Sequence, residues 1–507
     1  MTPPAQTSKR IYNHLKSQIM EGVLRAGSKL PSTRALASEH AISRTTVIAV
    51  YEQLAAEGYI ETSAGAVAKV AAGITAANKE APAKLNQQNR KPKLSAYGHR
   101  AQQFDLQSHQ STPDARPKVN FLYGALSPED FPTLIWRRAY DRALLQRQTQ
   151  LYYASPEGEL DLRIEIQGYL RRARGLTCDA QQILIVNGSQ QAIDLCARVL
   201  LDAGDHVAIE EPCYRKALHV FEAMGAQMCA VPVDEQGLLT QKLPKTRCAL
   251  AYVTPSHQFP LGGVMPIARR RELLAWAQRN RAWIVEDDYD GEFRYGLSPV
   301  DALQSLDTDG CVIYVGTFSK ALSPQLRIGY LVLPPSLVST FVQAKNLADR
   351  HTPRLEQTAL ASLIRSGAYE RHVRRMRRDN ERRRITLLQA IEKYLPNDAQ
   401  VEGAASGLHI VLWLKNIRVA KEIALVAQAL QLGVGVRPIS PMYALGSKLR
   451  SKRCAGLVLG YASLSQSDIE TGIEKLAAAV AEISLQPAFP QHESGRADSS
   501  KRFALAI

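Results

Sequence analysis

Paired cysteines are missing from this chain of 507 residues. Its seven cysteines lie far apart and none forms a Cys-x-x-Cys pair, so neither a disulfide framework nor a metal site is expected. An apolar run of membrane-spanning length is also missing, as is the apolar core of a signal peptide near Met1. These absences argue against a secreted or membrane protein and favour a cytoplasmic one.

Acidic residues are the scarcer charge. Asp and Glu number 48 against 63 Lys and Arg, which gives a formal net charge of +15 at pH 7. The excess permits a nucleic-acid partner, although net charge alone does not distinguish a DNA-binding protein from a basic enzyme. The length suffices for two or more domains with apolar cores.

The first predicted unit, residues 8–71, has the pattern of a small helical domain. Apolar residues recur every four positions along 11–19 and form one helix face. Ser32 and Ser43 are good N-caps for a second helix and for a third helix at 44–57. Two short helices joined by a tight turn form a helix-turn-helix, whose second helix presents its N-terminal residues to the major groove of DNA. A strand that follows would begin a wing.

This unit resembles the GntR family of winged helix-turn-helix regulators. The resemblance rests on the segments LPSTRALA at 30–37, SRTTV at 43–47 and YEQLAAEGYI at 51–60. The wing departs from the family's Gly-rich basic turn, so no wing contact with DNA is predicted. A generic three-helix bundle is the alternative. The resemblance implies that double-stranded DNA is contacted by Arg34, Arg44, Thr45 and Thr46.

A linker and a tail flank the remaining part of the chain. Residues 72–117 are rich in Ala, Gln, Asn, Lys and Pro and have no period, which predicts a flexible, mildly basic linker. It serves as a tether or adds non-specific attraction to phosphate. Residues 485–507 are polar and basic, which predicts a disordered tail.

Residues 118–484 alternate strands and helices, which is typical of an α/β fold with a mostly parallel sheet. Polar or aromatic residues follow each predicted strand. Because ligands of such folds bind at the carboxyl ends of the strands, the site is predicted at that edge. The turn Gly188-Ser189-Gln190 opens a helix there and directs free amides toward an anion.

Lys320 lies just past a predicted buried strand, with Ser319 beside it and Arg327 seven residues later. An amine that forms an imine, together with a hydroxyl and a guanidinium that bind phosphate, fits pyridoxal 5'-phosphate (PLP). PLP also needs a carboxylate at its ring nitrogen, and either Asp287 or Asp288 can supply it. A surface lysine and an ordinary acidic loop are the alternatives.

Two tyrosines complete this hypothesis. Tyr289 is placed to meet the ring oxygen, where a phenol lowers the proton affinity of the imine. Tyr214 is placed to cover the ring face.

The same region resembles the fold type I PLP-dependent aminotransferases. Five segments carry the resemblance in order along the chain. It implies an internal aldimine at Lys320, Asp287 at the ring nitrogen and Tyr289 at the ring oxygen. Tyr153 would reach the phosphate of a partner subunit, which implies a homodimer. The matched segments are 153–158, 188–190, 254–260, 286–289 and 317–330. The resemblance implies that Ser189, Gln190, Ser319 and Arg327 surround the phosphate, and the further predicted cofactor contacts are Gly188, Tyr214, His257 and Thr317.

Three departures from that family stand out. Asp287 and Tyr289 are two residues apart rather than three, so the register could be off by one. The usual Asn-Pro-x-Asn-Pro loop is replaced by a segment containing His257. The late strand that normally carries a carboxylate-binding arginine has none, and Arg437 or Arg215 is the predicted substitute at the effector's carboxylate.

The fusion of the two regions resembles the MocR/GabR-type subfamily of bacterial GntR regulators. The resemblance implies a winged helix-turn-helix joined to an aminotransferase-like α/β domain with a smaller C-terminal subdomain. It implies a PLP-dependent transcriptional regulator that senses PLP or an amine or amino acid. The alternative is an active aminotransferase with an N-terminal docking module, and a scaffold that has lost PLP is a third possibility.

Overall fold

The computed structural model describes residues 4–63, 66–73, 93–104, 117–146, 152–296, 300–444, 447, 449 and 454–485. The chain divides into two compact units, Met1–Lys93 and Leu94–Ile507. Residues 486–507 of the predicted tail lie outside the described residues, as do 74–92 and 105–116 of the predicted linker. Within the described ranges, no helix is both long enough and apolar enough to cross a membrane.

The first unit consists of three helices and a two-stranded ribbon. Both predicted N-caps are confirmed, since Ser32 Oγ accepts from the Ala35 amide and Ser43 Oγ from the Thr46 amide, each at 3.1 Å. The ribbon is antiparallel, with Ile60 opposite Val70, and forms the predicted wing. The elements are α1 (Pro4–Met20), α2 (Thr33–Glu39), α3 (Arg44–Ala56), β1 (Ile60–Glu61) and β2 (Lys69–Val70).

One apolar core holds this unit together. Ile11, Leu15 and Ile19 of α1 are buried, as predicted from their spacing. They pack with the apolar stripe of α3, where the i, i+3, i+4, i+7 pattern places side chains on one face. The members of that stripe are Val47, Val50, Tyr51 and Leu54.

Part of the predicted linker is helical and belongs to the second unit. Helix α4 (Ala96–Ala101) is followed by Phe104, whose ring stacks on His219 with centroids 4.5 Å apart. Arg100 Nε donates a hydrogen bond of 2.8 Å to the Ala223 carbonyl. The linker prediction missed this helix because it is short and is stabilised by residues more than 100 positions away.

The second unit is built on a large sheet of eight strands in the order β4-β11-β10-β9-β8-β5-β6-β7. The five central strands, β10, β9, β8, β5 and β6, are parallel, while β11 is antiparallel to both of its neighbours. The predicted parallel sheet is therefore confirmed. The strands of this unit are β3 (Val119–Asn120), β4 (Ile183–Val186), β5 (His206–Glu211), β6 (Gln227–Asp234), β7 (Gly237–Leu238), β8 (Leu250–Val253), β9 (Trp283–Asp288), β10 (Val312–Thr317), β11 (Gly329–Val332), β12 (Ala399–Glu402), β13 (His409–Arg418), β14 (Val434–Gly435), β15 (Arg437–Pro438) and β16 (Cys454–Gly460).

Helices cover both faces of the large sheet. Along β4, Ile183 and Ile185 pack into one apolar cluster, while Leu184 and Val186 pack into another. This alternation is why the strand is a continuous apolar run. The helices of the unit after α4 are α5 (Thr133–Leu145), α6 (Leu160–Arg174), α7 (Ser189–Leu200), α8 (Arg215–Met224), α9 (Ile267–Asn280), α10 (Val338–Asp349), α11 (Arg354–Arg365), α12 (Ala368–Tyr394), α13 (Glu422–Gln431) and α14 (Gln466–Leu485).

The smaller C-terminal subdomain has a four-stranded sheet in the order β12-β13-β16-β15. Its core contains residues from α12, α13 and α14. The short strand β3 pairs in parallel with β14, and Phe121 just after it is fully buried in the same core. The start of the second unit is thus part of its last subdomain.

Candidate functional site

The carboxyl ends of β5, β8, β9 and β10 lie side by side at one edge of the large sheet. The register sets Val253 against Glu286 and Gly316 against Asp288. The residues that follow these strands therefore meet at this edge, as a ligand site in an open α/β fold requires.

Two neighbouring carboxylates lie in different surroundings at the end of β9. The sequence placed Asp287 and Asp288 in a loop, but both belong to the strand, so their side chains point to opposite faces. Asp288 is bonded at 2.5 Å to the Arg174 guanidinium and at 2.5 Å to the Tyr314 hydroxyl. Asp288 is therefore engaged within the protein and is not available to a ligand.

Asp287 keeps a free oxygen. Its Oδ2 accepts from the Tyr252 hydroxyl at 2.5 Å, whereas its buried Oδ1 has no hydrogen-bond partner among the described residues. Burial raises the pKa of the Asp287 carboxyl to about 6, and the Tyr252 hydroxyl acts in the opposite direction. A buried acceptor of this kind is costly unless a donor or cation meets it.

Lys320 lies after β10 and is half-buried. Its Nζ is 4.5 Å from the centre of the Tyr123 ring, and a Cβ built on Gly124 would come within 2.7 Å of it. Burial lowers the pKa of the Lys320 amine to about 8, while the charges of Asp290 and Asp287 oppose that shift. At neutral pH such an amine has a larger uncharged, nucleophilic fraction than an ordinary lysine.

The predicted anion-binding turn precedes α7. Gly188 has a φ of 79°, and Ser189 is the first residue of the helix. Arg327 Nη2 donates to the Asn187 carbonyl at 2.8 Å, and a Cβ at Gly188 would lie 2.6 Å from that nitrogen. The absent side chain therefore leaves room for a guanidinium beside a helix N-terminus, which is an arrangement suited to phosphate.

The remaining phosphate candidates are Gln190, Thr317 and Ser319. Gln190 has a buried Oε1 without a partner among the described residues. Thr317 Oγ1 accepts from the Ser319 amide at 3.1 Å and bonds the Ser319 hydroxyl at 3.0 Å, which fixes the backbone just before Lys320.

Aromatic rings and a histidine line the same edge. Tyr214 immediately precedes α8, and its ring meets Phe259 edge-on with centroids 5.8 Å apart. The Tyr289 hydroxyl is 2.8 Å from His257 Nδ1. Burial raises the pKa of Tyr289 well above its usual value, so its phenol remains protonated.

The two effector-site candidates differ in their partners. Arg437 lies on β15 opposite Val458 of β16, the strand on which an arginine was expected, and its side chain forms no ion pair or hydrogen bond with any described residue. Arg215 donates to the Pro441 carbonyl, and its Nη2 is 3.0 Å from His219 Nε2.

Tyr153 contacts residues that directly follow α10. It is 57% exposed, and the Arg350 guanidinium lies 4.1 Å from the centre of its ring. Its nearest aromatic neighbours are Tyr152 and His351.

The residues at this edge fit PLP. Asp287 offers an unpartnered buried acceptor to a ring nitrogen, and Lys320 offers an amine with a lowered pKa to an aldehyde. The turn at Gly188 together with Arg327 offers amides and a cation to a phosphate. The three groups match the three polar ends of that cofactor.

The first unit presents its predicted DNA-contacting residues at the start of α3. Arg44 and Thr45 are exposed, Thr46 is half-buried, and Arg34 is exposed on α2. The Arg44 Nε is 3.4 Å from the Thr33 hydroxyl, so the α3 arginine lies near the start of α2.

Both units match known protein families. The family model for bacterial regulatory proteins of the gntR family matches residues 7–70, and that for aminotransferase class I and II matches 118–476. The chain is 35% identical over 92% of its length to the uncharacterized HTH-type regulator YhdI of Bacillus subtilis, covering 94% of that protein. It is 34% identical to the probable rhizopine catabolism regulatory protein MocR of Rhizobium meliloti, covering 95% of each chain.

The chain belongs to the MocR-type regulators of the GntR family. Among solved structures, the aminotransferase part of this MocR-type regulator is similar to LysN, an α-aminoadipate aminotransferase from Thermus thermophilus, with a TM-score of 0.67 and 29% identity over 77% of this chain and 97% of that one. LysN was solved as a complex with N-(5'-phosphopyridoxyl)-L-leucine.

Several residues of this MocR-type regulator's site were missed from the sequence. Tyr123, beneath the Lys320 amine, comes from the segment after β3, and Tyr252, which bonds Asp287, lies inside β8. Asp349 at the end of α10 accepts from the side chains of Asn187 and Gln191 at the predicted anion-binding turn. None of the three stands in a recognisable motif, because each acts through a partner far away in sequence.

Proposed function

We propose that this MocR-type regulator binds PLP covalently at Lys320 and that its DNA binding responds to PLP or to an amine-bearing small molecule. When bound, PLP supplies an aldehyde that condenses with amines. Asp287 would hold the ring nitrogen in its protonated state, Tyr289 would donate to the ring oxygen, and Tyr214 would cover the ring face.

The phosphate would be held from two sides. Ser189 and Gln190 would donate from the start of α7, and Arg327 would contribute the fixed positive charge. Ser319, whose hydroxyl is oriented by Thr317, would add a further donor. Gly188 would allow the phosphate to approach the backbone.

The single observation that carries the proposal is the unpartnered Oδ1 of buried Asp287, at the same edge as an amine whose pKa is lowered to about 8. A structural carboxylate would be expected to resemble Asp288, which is fully bonded within the protein. The contrast between these neighbours supports Asp287 as the ligand-facing residue of the pair.

For the effector, the observations favour a compound that carries a carboxylate as well as an amine. The guanidinium of Arg437 has no ion-pair or hydrogen-bond partner among the described residues, and Arg437 is half-buried, so a carboxylate could bind it without breaking an existing side-chain bond. Arg215 would have to exchange the Pro441 carbonyl for the ligand. Arg437 is therefore the primary candidate and Arg215 the secondary one.

A homodimer is part of the proposal. Tyr153 is exposed within a single chain, as expected for a residue that would contact the phosphate in a partner subunit. Two copies would present two helix-turn-helix units to a double-stranded operator in the cytoplasm of a bacterial cell, where Arg34, Arg44, Thr45 and Thr46 would contact DNA.

The test is an absorbance spectrum of the purified protein with PLP, followed by titration with amines and amino acids while binding to the DNA upstream of its own gene is measured. An imine band, together with DNA affinity that changes on adding PLP or one amine, is the expected result. A DNA affinity that does not change with PLP or with any of the amines and amino acids would overturn the regulatory proposal.

An active aminotransferase is the second candidate, and the similarity to LysN favours it. Conversion of an amino acid to its keto acid, without any DNA binding, would establish that alternative. Regulation requires an effector that binds two conformations of the protein with different affinities. Turnover of an amino acid would not by itself explain why the chain contains a helix-turn-helix unit.

A further inference from the structure

A chain of buried polar side chains continues from Tyr289 through His257 to Asp290. His257 Nδ1 is 2.8 Å from the Tyr289 hydroxyl and 3.0 and 3.1 Å from the two carboxylate oxygens of Asp290. His257 and Asp290 are 3% and 2% exposed, so water does not compete for these bonds. His409 lies next to them, and its Nε2 is 2.9 Å from the Pro260 carbonyl.

The proton on His257 Nδ1 decides the direction of these hydrogen bonds. If Nδ1 had no hydrogen, its lone pair would face two carboxylate oxygens, which is repulsive. Nδ1 therefore carries the hydrogen and donates it toward Asp290 and the Tyr289 oxygen. A hydroxyl that accepts this hydrogen bond does not use its own hydrogen in it. The Tyr289 hydroxyl can therefore donate its hydrogen to another acceptor.

We propose that Asp290 and His257 are positioning residues that orient the Tyr289 hydroxyl as a donor to the cofactor's ring oxygen. The inference rests on the proposed binding of PLP at Lys320. Asp290 holds His257 in the tautomer with hydrogen on Nδ1, and that hydrogen keeps the Tyr289 oxygen occupied as an acceptor. Without Asp290, the tyrosine would donate to His257 and lose its bond to the ring oxygen.

The ligand atoms of His257, Asp290 and His409 also lie within 4.8 Å of one another, a spacing that a metal ion accepts. Hydrogen bonds account for the contacts of His257 Nδ1 with Asp290 and Tyr289 and of His409 Nε2 with the Pro260 carbonyl. His257 Nε2 and His409 Nδ1 are buried without a hydrogen-bond partner among the described residues. No metal is needed to explain these contacts.

The pKa of the imine formed with PLP reports whether the Tyr289 hydroxyl donates to the ring oxygen. A donor to the ring oxygen stabilises the unprotonated imine, so loss of that donor raises the imine pKa. The charge of Asp290 acts in the opposite direction, because a nearby carboxylate favours the protonated form. The titratable groups around Lys320 and Tyr289 are Asp287, Asp290, His257, His409, Tyr123 and Glu210.

The experiment is a pH titration of the imine absorbance in the full-length protein loaded with PLP. Asp290→Leu removes both the charge and the acceptor, and we expect the imine pKa to rise by about one unit or more. Asp290→Asn removes the charge but keeps an oxygen that accepts from Nδ1, so its imine pKa should stay level or fall. Purely electrostatic action by Asp290 predicts a fall in both variants and would overturn the proposal.

Tyr289→Phe supplies the second half of the test. It should raise the imine pKa as Asp290→Leu does, and the double variant should show no further rise, because both changes remove one donor. Additive shifts would contradict the proposal. If Asp290→Leu does not fold, His257→Leu should raise the imine pKa, while His257→Asn, whose amide replaces the Nδ1 donor, should not.

The outcomes separate this inference from the proposed function. Absence of an imine band in the unmodified protein would reject covalent PLP binding itself. An imine band whose pKa is insensitive to Asp290→Leu would leave PLP binding in place and reject only the positioning role.

Discussion

The start of α3 and the carboxyl end of β9 present their candidate functional residues in opposite ways. Arg44 and Thr45 are exposed, and their position is set by a local cap at Ser43. Asp287 and Asp288 are buried, and each is bonded to a residue at least 26 positions away. A DNA-reading surface thus depends on local sequence, whereas a cofactor site depends on how distant strands meet.

The first prediction has the largest expected effect and concerns only the proposed cofactor site. Lys320→Ala should abolish the imine absorbance completely, because Lys320 supplies the amine that would condense with PLP at the end of β10. The midpoint of urea unfolding should change little, since the Lys320 amine forms no ion pair among the described residues. Covalent PLP that survives in this variant would show that another lysine is used.

The second prediction separates the two neighbouring carboxylates. Asp288→Ala leaves the buried Arg174 guanidinium unpaired and should lower the free energy of unfolding by about 3–5 kcal/mol. Asp287→Asn keeps an acceptor for the Tyr252 hydroxyl and should weaken PLP binding with a much smaller loss of stability. Urea unfolding and PLP titration of both variants measure this contrast, and equal stability losses would contradict it.

The third prediction concerns the exposed side of the comparison. Arg44→Ala should weaken binding to the operator by about 1–3 kcal/mol if the guanidinium contacts a base. The imine spectrum should not change. Arg279→Ala, which removes an exposed arginine from α9, serves as the control for lost charge. Operator affinity equal in the two variants, measured by fluorescence anisotropy, would remove Arg44 from the interface.

The smallest predicted effect belongs to the local cap. Ser43→Ala removes the acceptor for the Thr46 amide and should destabilise the start of α3 by about 1 kcal/mol. Hydrogen exchange of the first α3 amides in the full chain measures this loss. Ser43→Asp preserves an acceptor and should keep the protection, and unchanged exchange in Ser43→Ala would show that the cap is not needed.

Sequence patterns correctly predicted the elements that are stabilised by residues close by in the sequence. The caps at Ser32 and Ser43 and the apolar stripe of α3 depend on residues within one or two turns, so their outcome followed from spacing alone. The strands before Lys320 and Asp287 were also predictable, because parallel strands buried on both faces read as apolar runs.

Features that depend on long-range contacts could not be predicted from the sequence patterns. The choice between Asp287 and Asp288 was open in the sequence and depends on Arg174, more than 100 residues earlier. The ordered helix α4 inside the predicted linker depends on Ala223 and His219 in the same way. The side-chain contacts of Arg215 and Arg437 could not be ranked until the strands and helices were brought together.

The contact between Phe104 and His219 has a thermodynamic consequence. Phe104 stacks on His219, and the same histidine bonds Arg215, the secondary effector candidate. An effector that binds the Arg215 guanidinium would weaken the stacking of Phe104 on His219 if it displaces the histidine. Because coupling between two binding equilibria is reciprocal, docking of the Phe104 segment would then weaken effector binding by the same factor. Phe104→Ala should then raise effector affinity by that factor, and an unchanged affinity would mean that the two equilibria are independent.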